Sequence, residues 1–319
     1  MLGAYFAQAL LAEGHQVRIL HRRNGPPTHL GDWAARVEWI EADLLDVTAV
    51  NQALLGCQAV VHTAGMVSFN PRHNAQMWEA NVTATELLVD LAMDHPITRF
   101  VHLSSVAALG KGKPGEVLDE KSPWEESLAG SAYGRSKHYG ERAVWRGIAE
   151  GLPAVILNPS VVLAPGPEVR SSLQLFHYVH RGVPFYTPGE LNYVDIRDLT
   201  TLLLAALTEP WEGHRFIVSA DRVSYQDFFC AVAAAMEKKA PKYQLPLWLL
   251  QSLAPLEKGR TRLLGGNPLV TPDMVASLKQ PTHYNTQKSV TKGGLRYRPL
   301  EESISWVVKA LAGTSGWQK

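Results

Sequence analysis

Apolar and polar residues alternate along the first two-thirds of the chain in a pattern that switches between helix and strand. Residues 5–13 have the spacing of an amphipathic helix, and Gly14-His15 separates it from an apolar run at 16–20. Further strands are predicted at 37–40, 59–62, 99–104 and 154–158. Further helices are predicted at 47–55, 75–94 and 132–150. Strands separated by helices predict an α/β fold with a doubly wound parallel sheet.

The last third of the chain has a different pattern. Residues 215–218 predict one further strand at the edge of the sheet, and beyond Asp221 the pattern becomes helical, with Gly and Pro at 265–268 and a closing helix at 300–311. We therefore expect two parts. They are a dinucleotide-binding domain of residues 1–165, to which 192–220 return, and a smaller, mainly helical C-terminal substrate lobe of 166–191 and 221–319.

The start of the chain predicts the second half of a βαβ unit. A helix that leads through Gly14-His15 into a strand is typical of such units, and Gly3 has the position of the last glycine in a phosphate-binding turn. The first strand and about ten residues in all are then expected to be missing before it. A start codon assigned to an internal methionine and a real truncation are both open explanations.

Composition and charge exclude several classes of protein. The chain has 319 residues, of which 46% are hydrophobic, so it can bury a large core. A net charge of +1 gives no basic field for nucleic acid, and no apolar stretch has membrane-spanning length. Cys57 and Cys230 are too few for a disulfide framework, which indicates a reducing, cytoplasmic location. We predict no metal site and expect a small-molecule substrate, with a homodimer as an open alternative.

The most specific chemical signal is Tyr133 followed by Lys137 on a predicted helix. Residues four apart lie on one helix face, so the ammonium can approach the phenol and favour its charged form. Tyr-x-x-x-Lys alone also describes many solvated pairs. Here it follows a predicted strand that ends at Ser104-Ser105, inside an alternating α/β pattern, and this context favours a catalytic pair.

These motifs together resemble the extended short-chain dehydrogenase/reductase family, whose fold is a Rossmann-type sheet. The resemblance covers nearly the whole chain. Aligning back from Gly110 selects Ser105 rather than Ser104 as the family's serine. The other matching segments are His62-Thr-Ala-Gly65, Asn81-Val-Thr-Ala-Thr85 with Ala84 for the usual glycine, Asn158-Pro159-Ser160 with Asn158 for the usual arginine, and Tyr193-Val-Asp-Ile-Arg-Asp198.

The resemblance implies roles for these residues. Ser105 would donate a hydrogen bond to the substrate oxygen, Tyr133 would transfer the proton, and Lys137 would also hold the nicotinamide ribose. Asn81 would orient a link to Lys137, with a simple helix cap as the alternative. The implied cofactor contacts are Gly3, Thr63, Ala64, Gly65, Tyr133, Lys137, Asn158, Pro159 and Ser160.

The end of the second strand of the family's fold decides between NAD and NADP. Leu20-His21-Arg22-Arg23 carries no acid for the adenosine ribose, whereas Arg22 and, next to it, Arg23 could bind the extra phosphate of NADP. NADP is therefore favoured over NAD, with two solvated arginines as the alternative reading. Asp43 and its neighbour Leu44 are expected on the adenine side.

The sequence says less about the substrate. Leu191 occupies the place where relatives that act on nucleotide sugars carry an arginine for the diphosphate. The apolar runs at 245–250 and 253–256 could line a pocket or form lobe core. The chain looks most like dihydroflavonol reductases and hydroxysteroid dehydrogenases, which predicts an NADP-dependent reductase or alcohol dehydrogenase. A nucleotide-sugar epimerase or dehydratase and a non-catalytic NADP-binding protein remain alternatives.

Overall fold

A four-stranded parallel sheet forms the centre of the protein. The computed structural model describes residues 2–22, 31–166, 172–264 and 282–313, together with Val275 and Leu278. The strand order is β10-β6-β4-β3. The strands are β3 (Ala59–His62), β4 (Arg99–Leu103), β6 (Ala154–Pro159) and β10 (His214–Val218), and all three pairings are parallel. The predicted parallel α/β sheet is thus confirmed, with 214–218 at its edge.

A second, two-stranded parallel sheet consists of β1 (Arg18–His21) and β2 (Glu38–Glu41). Helix α1 (Leu2–Ala12) leads into it through Gly14, as the sequence predicts. The observed strands start one or two residues later than the apolar runs suggest. Among the described strands, β1 pairs only with β2 and β3 pairs only with β4, so a cleft separates the two sheets.

One face of the central sheet is covered by α2 (Val47–Leu54), α4 (Ala84–Met93) and α5 (Ala132–Ala149). The single helix predicted at 75–94 is instead α3 (Asn74–Trp78), a π-helical turn at Glu79–Thr83 and α4. Close packing explains the turn, because a Cβ on Gly140 of α5 would lie 2.1 Å from the Asn81 carbonyl oxygen. Single π turns of this kind are frequent at functional sites.

The opposite face of the sheet is covered by α1 and α7 (Ile196–Thr208). Phe6 of α1, Val101 of β4 and Leu199 of α7 are buried in one cluster with the inward side chains of β6 and β10. Two helical layers around a parallel sheet bury each strand on both sides. Every residue of β4 is accordingly buried.

The remaining elements form a mainly helical region beside the sheet. A three-stranded sheet has the order β11-β9-β7, with β7 (Val161–Leu163), β9 (Glu190–Asp195) and β11 (Asp221–Ser224). It packs with α6 (Leu173–His180), α8 (Tyr225–Ala235) and the closing helix α11 (Leu300–Ala312). The other elements are α9 (Leu247–Leu264), α10 (Gln287–Thr291) and the strand pairs β5 (Val117–Leu118) with β13 (His283–Tyr284) and β8 (Phe185–Tyr186) with β12 (Tyr243–Gln244).

The described residues include neither a membrane-spanning helix nor a metal-binding cluster. Within them, no helix combines the length and the apolar character that a membrane crossing requires. The same residues contain no group of three or more histidine, cysteine or acidic side chains that could hold a metal ion.

Candidate active site

A cleft of about 3330 Å³ runs between the two parallel sheets and past the carboxyl ends of the central strands. Open α/β sheets bind their ligands at this edge. Most of the cofactor contacts implied by the sequence line it, namely Gly3, Arg22, Asp43, Leu44, Thr63, Ala64, Gly65, Tyr133, Pro159 and Ser160. Arg23 and the segment 265–268 lie outside the described residues.

Ser105 and Tyr133 form a hydroxyl pair at the wall of this cleft. Ser105 follows β4 and caps a short turn, where its Oγ accepts a hydrogen bond of 3.2 Å from the Ala107 amide. Tyr133 lies in the first turn of α5, which Ser131 caps through a 3.1 Å bond from the Gly134 amide. The Tyr133 phenol lies beside the Ser105 hydroxyl, close enough for that hydroxyl to lower the pKa of the phenol. Ser104, by contrast, points inward and donates to Glu141 at 2.8 Å.

Lys137 lies one turn after Tyr133 and is only 5% exposed. Its ammonium donates to the Leu103 carbonyl oxygen at 2.9 Å and approaches Gly65, where a Cβ would lie 3.8 Å from Nζ. Burial lowers the pKa of Lys137 to about 8, against the opposing charge of Glu141. The ammonium is therefore still protonated at neutral pH.

The pKa of Tyr133 differs from the expectation that Lys137 depresses it. Burial raises the pKa of the phenol above its usual value of 10.0, and the hydrogen bond with Ser105 partly opposes this. Lys137 is instead engaged with the backbone of β4. In this structure Tyr133 is thus a neutral phenol, suited to give a proton rather than to take one.

Asn81 is a bridge between two segments and not a helix cap. It lies in the π turn, 2% exposed, and its Oδ1 accepts a 2.7 Å bond from the Met66 amide. Its Nδ2 donates to the Met66 carbonyl at 2.9 Å and to Ser136 Oγ at 2.8 Å. Asn81 thereby attaches the loop after β3 to helix α5, next to Gly65 and Lys137.

Asn158, like Lys137, is not among the residues that line the cleft. Its side chain is fully buried, and Nδ2 donates to the Ser105 carbonyl at 2.9 Å and to Glu141 Oε2 at 2.7 Å. Glu141 was not singled out from the sequence, although its spacing four residues after Lys137 places it on the same helix face. Its ion-pair partner Arg215 is 74 residues away and gives no local signal.

A pair of buried histidines lies behind Lys137. His62 of β3 and His102 of β4 are register partners with ring centroids 5.1 Å apart. His62 Nε2 bonds Thr85 Oγ1 at 2.9 Å, whereas neither ring nitrogen of His102 has a partner among the described residues. Burial and the charge of Lys137 lower the pKa of His62 to about 3 and that of His102 well below 6.5.

The end of the cleft beside β1 and β2 carries Arg22 and Asp43. Arg22 follows β1, and its side chain is 72% exposed, with NH1 3.9 Å from Asp43 Oδ2. Asp43 also accepts a 3.0 Å bond from the Leu45 amide, so its carboxylate is oriented by the backbone. The guanidinium and the carboxylate therefore lie together at this end of the cleft.

The opposite end of the cleft is apolar. Val161, Leu175, Leu191 and Tyr225 line it, and a side cavity of about 230 Å³ extends between Val106, Ser160 and Tyr225. Leu191 is buried in the cluster around α6 and α8. The apolar runs at 245–250 and 253–256 contribute no described residue to the cleft. Leu250 and Ala254 form a separate small core with Val275. The two runs thus contribute to the core of the lobe and not to a pocket.

Known proteins match this chain over most of its length. The model of the NAD dependent epimerase/dehydratase family matches residues 1–219. The "Putative dihydroflavonol 4-reductase" of Synechocystis sp. is 29% identical over 313 residues, which cover 95% of this chain and 90% of that protein. Cinnamoyl-CoA reductase 1 of Arabidopsis thaliana is 26% identical over 260 residues, 77% of this chain and 74% of that protein.

Two solved structures share the fold. The crystal structure of gox2253 superposes with a TM-score of 0.84 at 26% identity, over 98% of this chain and 95% of that one. The Bordetella bronchiseptica enzyme WbmH, solved in complex with NAD+, has a TM-score of 0.77 at 20% identity, with the same coverage of 98% and 95%. The likeness to WbmH is one of fold alone.

Proposed function

Because the chain belongs to the NAD-dependent epimerase/dehydratase family, we propose that it is an NADP-dependent oxidoreductase. It moves a hydride between nicotinamide and a carbonyl or secondary alcohol of a small, apolar substrate. The observation that carries this proposal is the hydroxyl pair of Ser105 and Tyr133 at the cleft wall, with the Lys137 ammonium buried behind it.

The cleft walls fit an extended dinucleotide. Gly3 lies in the first turn of α1, so close to Thr63 that a Cβ would lie 2.9 Å from Thr63 Oγ1, and a Cβ on Gly65 would lie 3.0 Å from Asn81 Oδ1. The two glycines thus let α1 approach the loop after β3, and a pyrophosphate would bind at the N-terminus of α1, where the helix dipole and the amides of the first turn favour negative charge. When bound there, the nicotinamide supplies the hydride.

The chain's own groups then act on the substrate oxygen. Ser105 and Tyr133 lie beside each other and both line the cleft, so a substrate oxygen there can contact both hydroxyls. Ser105 donates a hydrogen bond where negative charge develops, and Tyr133 gives up its proton to that oxygen. Lys137 places a positive charge behind the phenol and keeps free donors for the ribose hydroxyls.

Arg22 supports the choice of NADP. It is the exposed cation at the carboxyl end of β1, where NAD-binding sites place an acid for the ribose hydroxyls. A planar guanidinium binds phosphate through paired hydrogen bonds. Asp43 beside it would contact the adenosine from the other strand.

Leu191 and its neighbours support an apolar substrate. Leu191, Val106, Val161 and Tyr225 offer apolar surface with one phenol, and no described cation lines the main cleft at this end, while Lys111 and Glu190 line the side cavity. The apolar lining of the main cleft favours an uncharged aromatic or alicyclic carbonyl compound over a diphosphate. Relatives that are named as reductases agree with this reading.

The test measures turnover with a panel of apolar carbonyl compounds. The absorbance of NADPH reports its consumption. Wild-type protein should consume NADPH, and Tyr133→Phe should lower turnover by about two to four orders of magnitude, the usual weight of general acid catalysis. NADPH binding should persist in the variant. Near-normal turnover in Tyr133→Phe would refute the proposal, as would isomerisation of a sugar nucleotide without net cofactor consumption.

A further inference from the structure

The Glu141 carboxylate is buried and accepts hydrogen bonds from four donors. It is 2% exposed, and its Oε2 accepts from Ser104 Oγ at 2.8 Å and from Asn158 Nδ2 at 2.7 Å. Its Oε1 accepts from Arg215 NH1 at 2.8 Å and from Trp145 Nε1 at 3.3 Å. A charge so deeply buried persists only with this degree of pairing.

Two of these donors connect Glu141 to the turn that carries Ser105. Ser104 is the residue before it, and the same Asn158 amide that bonds Glu141 also donates to the Ser105 carbonyl at 2.9 Å. The backbone on both sides of the Ser104–Ser105 peptide is thus tied to one carboxylate on α5. Tyr133 and Lys137 lie on that same helix, so Glu141 fixes the distance between the serine and the other two residues.

Glu141 also acts on Lys137 through charge. It is one helical turn further along, and its carboxylate raises the pKa of Lys137 against the opposite effect of burial, which leaves it at about 8. The titratable groups that face Lys137 from the neighbouring strands are His62 and His102, and burial keeps both neutral. Glu141 is therefore the compensating charge for the ammonium.

Arg215 provides the counter-charge of Glu141 from an unexpected strand. The family pattern puts an arginine at position 158 on β6, where this chain has asparagine. The guanidinium here comes instead from β10, in which Arg215 pairs in register with Ile156 and Ile217 with Asn158. Arg215 is held further by the Glu120 carbonyl. The positive charge next to Glu141 is thus supplied by the strand adjacent to β6.

We propose that Glu141 is a positioning residue of the active site: it holds the Ser105 turn through Ser104 and Asn158, keeps the Lys137 ammonium charged, and depends on Arg215 for its own neutralisation. This rests on the function proposed above. Two effects follow that can be measured separately. The charge sets the alkaline limit of activity, and the Asn158 link sets the rate.

The charge is tested with the double variant Glu141→Gln/Arg215→Gln, which removes both members of the ion pair, so that neither is left buried without the other. Loss of the carboxylate should move the alkaline limb of the pH profile of kcat down by about one pH unit, the lower end of the effect of a close opposite charge. Arg142→Ala, an exposed position on the same helix, should leave the limb in place. A wild-type limb in the folded double variant would overturn the charge role.

The link is tested with Asn158→Leu, which keeps the Glu141–Arg215 pair and cuts the bond to Ser105. Turnover should fall about tenfold to a hundredfold at unchanged KM for NADPH, since a small displacement of a reacting group costs rate and not binding. The alkaline limb should not move. Unchanged kcat would show that Glu141 is merely structural. This variant also decides the proposal if the double variant does not fold.

Failure of this inference can be told apart from failure of the proposed function. Tyr133→Phe is measured in parallel with the same substrate. If it is as active as wild type, the proposed function is wrong. If it is inactive while the Glu141 and Asn158 variants keep wild-type kcat and pH profile, the function stands and the positioning role is wrong.

Discussion

His62 and His102 lie side by side in the interior, and among the described residues only His62 has a hydrogen-bond partner. Thr85 already donates its hydroxyl hydrogen to the Asn81 carbonyl at 2.9 Å, so His62 Nε2 must be the donor in its 2.9 Å bond to Thr85. His102 is 1% exposed and leaves both ring nitrogens unpaired among the described residues. Buried polar groups without partners destabilise a fold.

The unpaired ring of His102 predicts a stabilising substitution. Its pKa is well below 6.5 in the folded protein, so only the unfolded chain takes up the proton as the pH falls below 6.5. Stability is then lost by about 1.4 kcal/mol per pH unit for each such imidazole. His102→Leu should match or exceed wild-type stability at pH 7 and lose less of it towards pH 5.

Urea unfolding at several pH values measures this effect. His15→Gln, at an exposed histidine, is the control and should keep the wild-type acid slope. A large loss of stability at pH 7 in His102→Leu would show that the ring is satisfied by a partner such as a buried water molecule.

Lys137 has a pH dependence of the same sign as His102, but at higher pH. Its pKa falls from 10.5 to about 8 on folding, so between these values the unfolded chain keeps the proton that the folded protein has lost. The cost of burying the charge is therefore full below pH 8 and vanishes towards pH 10.5. That fall in pKa corresponds to about 3 kcal/mol. Lys137→Met should raise stability at pH 7, less so at higher pH, while abolishing turnover.

Thermal unfolding of Lys137→Met at pH 7 and pH 10 decides this prediction. Lys309→Met, an exposed lysine on α11, serves as the matched control and should show no pH-dependent gain. A variant that is less stable than wild type at pH 7 would mean that the bond to Leu103 outweighs the cost of burial.

The sequence predicts the parts of this fold that depend on local pattern. The strand Ala59–His62 has the bounds that the sequence predicts, and α5 ends one residue before its predicted end. The π turn around Asn81 was not predicted, because it depends on a glycine of another helix. The ion pair of Glu141 and Arg215 and the histidine pair were also not predicted. Each joins residues that are far apart in sequence and are brought together only by the order of the strands.

Gly140 gives a direct test of the close approach between α5 and the π turn. A Cβ there would lie 2.1 Å from the Asn81 carbonyl oxygen, which is backbone and cannot rotate away. Gly140→Ala should destabilise the protein by about 3 kcal/mol or more, the upper range for overpacking. It should also lower turnover, because Tyr133 and Lys137 move with the helix.

Gly147 on the same helix is the matched control for this variant. A Cβ there would lie 2.7 Å from Val89 Cγ1, a side chain that can adjust, and alanine gains about 1 kcal/mol over glycine in a helix. Gly147→Ala should therefore cost much less than Gly140→Ala. Equal melting temperatures for the two variants would contradict the packing argument.

The last prediction concerns the choice of cofactor at Arg22. Its guanidinium is 72% exposed at the end of β1, and its contact with Asp43 at 3.9 Å is too long and too exposed to hold it firmly. Arg22 is therefore available to the extra phosphate of NADP. Arg22→Ala should weaken NADPH binding by about 2 kcal/mol, the scale of a charge-assisted hydrogen bond, and leave NADH binding nearly unchanged.

Fluorescence titrations of both cofactors against wild type, Arg22→Ala and Arg142→Ala separate a phosphate contact from a general effect of charge. Arg142 lies on α5 with its guanidinium over the Tyr139 ring, so its loss should leave both affinities unchanged. The Arg22 effect should also shrink as salt rises, because an exposed charge pair is screened. Equal losses for NADPH and NADH would make Arg22 a structural residue, and tighter binding of NADH by the wild type would refute the assignment of NADP itself.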